Sequence, residues 1–584
     1  MSYLSRRTFL TGIVGGAVAL SASPGRAADS PPGSTPSFGG MDFILLNGRI
    51  ITLNPEDAIA EAVAVRDGKI MAVGTTPDIR ALAGAGTRVF DLGGKCVTPG
   101  LVDSHIHLIY YGREFREGLL DIRFPKARSK KELLQLVETR AKETPKGQWI
   151  AGNQGFSMNI GEAPTCSELD AVSSNHPVYL RHNSGQFAVV NSLALKAAGI
   201  DRSTKDPYGG KIGRDPATGK PNGILSHYSA ENMVHRQIPG WGIRSETDRL
   251  NEAREGQRRA LAAGYTSAQD VIVTEQEDID AYRRLANEGE LKIRLTLMQY
   301  LPSEQGAQKL LPLARRLKNE WLTFSGWKLA LDGGGGAGTT LMYDRNLHIA
   351  NRSYPYHDQS TLDRIVLQAH RTGLQVAFHA TGDRAVDMAI NAVEAALKAN
   401  PRENHRHRIE HVQFPSRQAL ERIKRLGMVV STSPQWIRFN GEAYRQLTND
   451  ETMSRFFPLR TMMEMGIPVA FGCDVPATIM IEPKWALLGA VTRLTPKGYT
   501  PAPEQCISIR DALRMHTLGS AYASFEEDIK GSIEPGKLAD MVVWSHDIYS
   551  ASARELGDLK PLATLVGGRV VYQDQAYRRD KKDG

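Results

Sequence analysis

Six side chains spread along the chain, His105, His107, Lys328, His379, His411 and Asp474, are of types that can present a metal-binding atom. Each lies at or near the end of a strand-like run. His105 and His107 belong to Thr98-Pro-Gly-Leu-Val-Asp-Ser-His-Ile-His-Leu108, where an apolar strand follows a Pro-Gly turn. Successive strand residues alternate sides, so the i, i+2 spacing directs both imidazoles to one face. Two neutral imidazoles side by side are half a zinc site. Taken alone, the pair also reads as two of 15 scattered histidines, one of them buried and hydrogen-bonded.

The remaining four close separate runs of their own. His379 ends Leu374-Gln-Val-Ala-Phe-His379, His411 ends Arg408-Ile-Glu-His411, and Asp474 ends Ile467-Pro-Val-Ala-Phe-Gly-Cys-Asp474 before Val475-Pro476. Short apolar runs of this kind read as buried parallel strands. Helical segments at 360–372, 383–399 and 416–426 alternate with them, which implies a parallel sheet. Eight strands are expected, at 101–107, 265–270, 292–298, 327–331, 375–379, 408–411, 428–432 and 469–474. That number fits an α/β fold of the (β/α)8 TIM-barrel type, which gathers its active site at the carboxyl ends of its strands.

The motif Pro99-Gly-Leu-Val-Asp-Ser-His-Ile-His107, a strand-four lysine, single histidines ending strands five and six, and an aspartate ending strand eight together resemble the amidohydrolase superfamily. Within it the chain is most similar to amidohydrolase family three, the branch that includes N-substituted formamide deformylases. Trp327-Lys-Leu-Ala-Leu-Asp-Gly-Gly334, His379-Ala-Thr-Gly-Asp-Arg-Ala385, and Pro177 to Gln186 leading into Val190-Asn-Ser-Leu-Ala-Leu195 carry the same likeness. Where that family reads Asp-Gly-His, this chain has Ser184-Gly-Gln186, a departure that bears on substrate identity and not on the metal ligands.

The resemblance implies a role for each residue. His105 and His107 would hold one divalent metal, His379 and His411 a second, and Asp474 would bind the first while facing the attacking water. The expected cofactor is a divalent metal, one or two ions per chain, with zinc the default for histidine and carboxylate ligands and iron, cobalt and manganese as alternatives. An ammonium repels a cation and offers only donors, so Lys328 is expected to be carboxylated by carbon dioxide into an anionic bridging ligand. The alternative is an ion pair between Lys328 and Asp332 or another barrel carboxylate. Asp474 is the expected proton shuttle, and neither a Gly-x-Ser-x-Gly motif nor a reactive cysteine setting offers a protein nucleophile.

The flanking segments organise around this barrel. Residues 41–97 carry strand-like alternation with Asn-Gly and Asp-Gly hairpin signals, and 521–584 look similar. The resemblance implies that both termini build one small β-sandwich. Barrel strand one is placed at 98–111 and the rest of the barrel at 242–520. The stretch 112–241 is far too long for an ordinary barrel loop, so it is expected to fold as an insertion that lids the site. Arg181, Gln186, His227, Trp241 and Trp436 are the candidate pocket residues, with Phe156 and Trp436 as an apolar wall. The glycine run 333–336 is either a mobile loop over the metals or a tight turn.

At the N-terminus, Ser5-Arg-Arg-Thr-Phe-Leu10 and the apolar stretch after it read as a twin-arginine signal peptide over 1–28, followed by a flexible spacer at 29–40. The apolar run is about a dozen residues, short of the roughly 20 that a membrane span needs. The expected address is the bacterial periplasm or exterior, with the twin-arginine export machinery as a partner. Hydrophobic residues at 41% and charged residues at 23% are ordinary globular values, and the net charge of +8 is modest. No basic block alternates with aromatics, so nucleic acid is excluded as a partner. Cys96, Cys166, Cys473 and Cys506 form no Cys-x-x-Cys, and Cys473 is expected to face away from the site.

The function expected is metal-dependent hydrolysis of a C–N bond, amide, N-formyl or N-acyl, in a small molecule. Deamination of a cyclic amidine and hydrolysis of an ester or lactone are the alternatives on the same site. A metal-free periplasmic binding protein is the non-catalytic one. A homo-oligomer is left open.

Overall fold

Eight short runs rich in aliphatic and aromatic residues pair into one parallel sheet, the arrangement favoured by strands buried on both faces. They are β1 (Leu101–Ile106), β2 (Tyr265–Val273), β3 (Arg294–Tyr300), β4 (Leu322–Ala330), β5 (Gln375–Ala380), β6 (Arg408–His411), β7 (Val429–Thr432) and β8 (Val469–Phe471). Each pairs with the next along the chain. The computed structural model describes residues 41–580 apart from 125, 158–159, 161, 208–209, 241–243, 302–316, 352 and 479. The expected signal peptide and spacer, and Trp241, lie outside the described residues.

The ring closes between β8 and β1 through individual hydrogen bonds. Asp474 N donates to His105 O at 2.7 Å and His107 N to Val475 O at 3.1 Å, while Cys473 N donates to the buried Asp103 carboxylate. The seam is tight at Gly472, where a Cβ would stand 2.5 Å from His105 N. All eight expected strands are present, with bounds that differ by a few residues. β4 starts at Leu322, so Lys328 lies within the strand. β8 ends at Phe471, so Asp474 sits on an irregular extension held by β1.

Helices Gln359–Arg371, Asp383–Ala399 and Arg417–Leu426 follow β4, β5 and β6. Ser416 caps the last of them by accepting a bond from Ala419 N. Between β1 and β2 lies a five-stranded sheet in the order Lys211–Arg214, Pro221–Ser226, Phe187–Val190, Val178–His182, Ile150–Phe156. Helices Lys130–Glu143, Cys166–Val172, Ser192–Ala197 and His227–His235 accompany it.

Both ends of the described chain meet in a pair of sheets. One has four strands from the N-terminal side, and the other has six, in which Met541–Trp544 pairs antiparallel with Cys96–Pro99. Phe43, Val63 and Val65 of the first sheet pack with Val97, Met541 and Leu565 of the second in one apolar layer. The four cysteines are all unpaired. Among the described residues no helix is long and apolar enough to cross a membrane.

Candidate active site

Strand alternation brings His105 and His107 to the carboxyl end of β1, and the seam with the β8 extension brings Asp474 to them. His105 Nε2 and His107 Nε2 each lie 3.5 Å from Asp474 Oδ1. Ligating atoms about 2.1 Å from a tetrahedral centre stand roughly 3.4 Å apart, so this trio has the spacing of a metal site. The three ligand atoms all fall within 4.8 Å of one another.

His379 and His411 join them from β5 and β6. His411 Nε2 is 2.9 Å from His379 Nδ1, its Nδ1 is 4.0 Å from Asp474 Oδ2, and its ring centroid is 4.9 Å from that of His105. His411 and Asp474 both adopt left-handed backbone, with φ of 75° and 56°. Such strain in non-glycine residues clusters at functional sites. At β6 it has a visible consequence. Regular alternation would send Glu410 and His411 to opposite faces, yet both approach His105.

Sequence reasoning missed Glu410. Its Oε2 lies 2.6 Å from His105 Nδ1 and its Oε1 accepts from Arg408 Nε at 2.6 Å, with both side chains fully buried. A carboxylate can only accept, so His105 carries its proton on Nδ1 and turns a bare Nε2 toward Asp474. The only signal in the sequence was the alternation of Arg408 and Glu410 within Arg-Ile-Glu-His, two charges in a buried strand.

Lys328 is fully buried, and its Nζ has no hydrogen-bond partner among the described residues. Burial lowers its ammonium to about 8, against the pull of Glu410. The Asp332 ion pair is not formed. Asp332 instead accepts from the backbone of Leu341, Thr381 and Gly382 and from the Thr381 hydroxyl, and so ties down the loops after β4 and β5. Burial also drives His105 down to about 4 and His379 down to about 3, leaving neutral imidazoles able to bind metal. The Asp474 carboxyl would rise on burial, but hydrogen bonding from His107 beside it holds it below its ordinary value. These buried donors with unmet valences fit a cation.

A cavity opens over the cluster. Arg181, Gln186 and His227 line it, as do His105, His107 and Asp474. Arg181 is held by Glu231 and Gln154, and His227 Nδ1 contacts Tyr356 and Gln186. Trp436 lines a second recess and donates from Nε1 to Asp474 Oδ2 at 3.3 Å. Phe156 corrects the expectation of a second wall residue. It packs beneath His182 and Phe187 in the core of the inserted sheet and lines neither recess. Cys473 likewise lines neither. The glycine run forms a short turn at Gly335–Ala337, where a Cβ on Gly335 would stand 2.7 Å from the Tyr444 ring. Close approach to Tyr444 is thus a physical reason for glycine there.

Comparison with known proteins agrees with this geometry. Residues 88–572 match the amidohydrolase family. The chain is 30% identical over 547 residues to the protein LONG AFTER FAR-RED 3 of Arabidopsis thaliana, covering 91% of each. It is 28% identical over 544 residues to an N-substituted formamide deformylase of Arthrobacter pascens, covering 91% of this chain and 98% of that one. An uncharacterized metal-dependent hydrolase from Pyrococcus horikoshii OT3 superposes with a TM-score of 0.69 at 26% identity, over 88% of this chain and 99% of the other.

Proposed function

The chain belongs to the amidohydrolase family, and from that premise we propose that it hydrolyses the C–N bond of an N-formyl or N-acyl small molecule with a zinc-activated water. His105, His107 and Asp474 would hold one ion, His379 and His411 a second, with carboxylated Lys328 between them. A bound divalent cation supplies Lewis acidity, polarising a carbonyl and lowering the pKa of water from about 16 to about 7. The observation that carries the reading is the convergence of His105, His107 and Asp474 within 4.8 Å beside an unpartnered, buried Lys328.

The chain's own residues do the rest. Asp474 stands between the imidazoles, ionised and oriented by the Trp436 indole, where it can take a proton from the attacking water and return it to the leaving nitrogen. Lys328, desolvated and with its ammonium lowered to about 8, holds more neutral amine near neutral pH than an ordinary lysine, and that amine can add to carbon dioxide, releasing a proton and leaving a carbamate. Its neighbours include Arg408, which favours an anion there. The N-formyl branch of the proposal is supported by the name of the Arthrobacter pascens relative. Ser5-Arg-Arg-Thr-Phe-Leu10, outside the described residues, supports export of the folded enzyme through the twin-arginine route to the periplasm.

The test is a turnover screen of N-formyl and N-acyl amines with metal-replete protein, alongside metal analysis and intact mass under native conditions. Turnover, bound zinc and a mass gain of one carbon dioxide are expected, and Asp474→Asn should lower kcat by about 10²- to 10⁴-fold. An Asp474→Asn enzyme that keeps full turnover would remove the shuttle assignment. Protein that binds no metal would remove the proposal itself.

A further inference from the structure

The cavity divides at the histidine cluster. A lobe of about 60 Å³ lies on the side of β5 to β7, walled by Gly334, Gly335, Trp436, Tyr444 and His182. A lobe of about 320 Å³ lies on the side of β1 to β4, reaching Tyr110, Arg181, His227 and Tyr356. His379, His411 and Asp474 border both. A bond cleaved at Asp474 therefore sends one substituent into each lobe. At 10–15 Å³ per water-sized group, the small lobe has room for roughly five of them, a short acyl chain but not an aromatic one.

His182 lines the small lobe. It is only 3% exposed, and its ring is stacked on Phe187 at 4.4 Å and edge-on to Phe156 at 5.2 Å. Ser184 N donates to its Nδ1 at 3.2 Å, and the Ser184 hydroxyl lies 2.8 Å from the same nitrogen. A backbone N–H can only donate, so Nδ1 carries a lone pair and the proton of the neutral ring sits on Nε2. Burial keeps the ring neutral, lowering it to about 3. Nε2 has no hydrogen-bond partner among the described residues, although its side chain lines the small lobe. A donor held in one orientation on the wall of the recess, facing the cavity rather than the protein, favours a ligand group that accepts a hydrogen bond.

Resting on the hydrolytic reading above, we propose that the small lobe receives the acyl group, whose oxygen accepts from His182 Nε2–H, and that the large lobe receives the N-linked group. The substrates are then short-chain amides, formyl or acetyl, of comparatively large amines. The hydrogen bond strengthens as the acyl oxygen gains charge on attack, which makes His182 a catalytic residue of the oxyanion-binding kind. The Ser184 backbone N–H sets the His182 tautomer, and its hydroxyl can follow by donating to the same nitrogen.

The experiment compares metal-loaded wild type, His182→Phe and His182→Gln on formyl and acetyl derivatives of a bulky amine and on the benzoyl derivative of methylamine. Wild type should favour the short acyl groups at least tenfold in kcat/KM. His182→Phe keeps the ring stack and loses the donor, so kcat should fall about 10²- to 10³-fold with metal content and melting temperature unchanged. His182→Gln retains an N–H and should recover part of that loss. Independently of turnover, long-range 1H–15N spectra of 15N-histidine-labelled wild type should show His182 as the Nε2–H tautomer. An Nδ1–H tautomer, wild-type kcat in His182→Phe, or preference for the benzoyl substrate each overturns the proposal. Amide turnover indifferent to His182 and to acyl size sinks this inference alone, whereas a wild type that cleaves no amide sinks the hydrolytic reading with it.

Discussion

Both carboxylate oxygens of Glu410 are taken, one by His105 and one by Arg408, whose guanidinium also reaches Ser104 O and Gln269. Burial would raise this carboxyl, but the Arg408 guanidinium and the hydrogen bond from His105 hold it well below its ordinary value. It is therefore an anion under the metal-binding face of His105. Such partners orient a ligating imidazole and raise its basicity. Glu410→Gln keeps a possible acceptor but removes the charge, and metal affinity should fall about 10- to 100-fold. Competition with a chelator measures this, and unchanged affinity would assign Glu410 to packing alone. The i, i+2 pair His105 and His107 was legible because a regular strand carried it. Glu410 was not, because the left-handed turn at His411 breaks the alternation from which its direction would be inferred.

Among elements, the helix Leu108–Arg113 that follows β1 lies pressed against the helix Glu246–Ala262 that precedes β2. Glycine makes the approach possible on both sides. A Cβ on Gly112 would meet Glu252 O at 1.8 Å, and one on Gly256 would meet Leu108 O at 2.3 Å. The obstructing atoms are backbone and cannot swing aside. Gly256→Ala should thus cost about 1–3 kcal/mol, read as a shift in denaturant midpoint. A null shift would mean that the helices separate freely. Neither glycine stands out in the sequence as anything but a weak point in a helix, since only the neighbouring helix makes it necessary.

At the scale of the molecule, the chain leaves the barrel through Met515–Gly519, a wide helical turn beside β8, on its way to the terminal sheets. His516 is buried there between Tyr265 of β2 and Phe471 of β8, with neither ring nitrogen hydrogen-bonded among the described residues. Burial lowers its pKa from 6.5 to about 3. A histidine held neutral in the fold but free to protonate when unfolded leaves stability independent of pH above 6.5 and lowers it as pH falls from 6.5 toward the folded value. Relative to His516→Leu, wild type should lose about 1.4 kcal/mol per pH unit below pH 6.5. At pH 7.5 the substitution should be neutral or stabilising, because it removes two unmet polar atoms. Denaturation of both proteins between pH 7.5 and 4.5 checks this, and a pH-independent difference would show His516 to be solvated.

The sequence alone determined the eight-strand α/β barrel, because strand and helix periodicities are local and a buried parallel strand announces itself by composition, and it marked His105, His107, Lys328, His379, His411 and Asp474 as candidates at or near strand ends. Tertiary structure decided what those residues became. The seam at Gly472 delivers Asp474 to β1, and left-handed backbone at His411 lets Glu410 and His411 both serve His105. The inserted sheet carries His182 into the recess. Each depends on atoms from segments remote in sequence meeting at one point, a condition set by packing that no local pattern encodes.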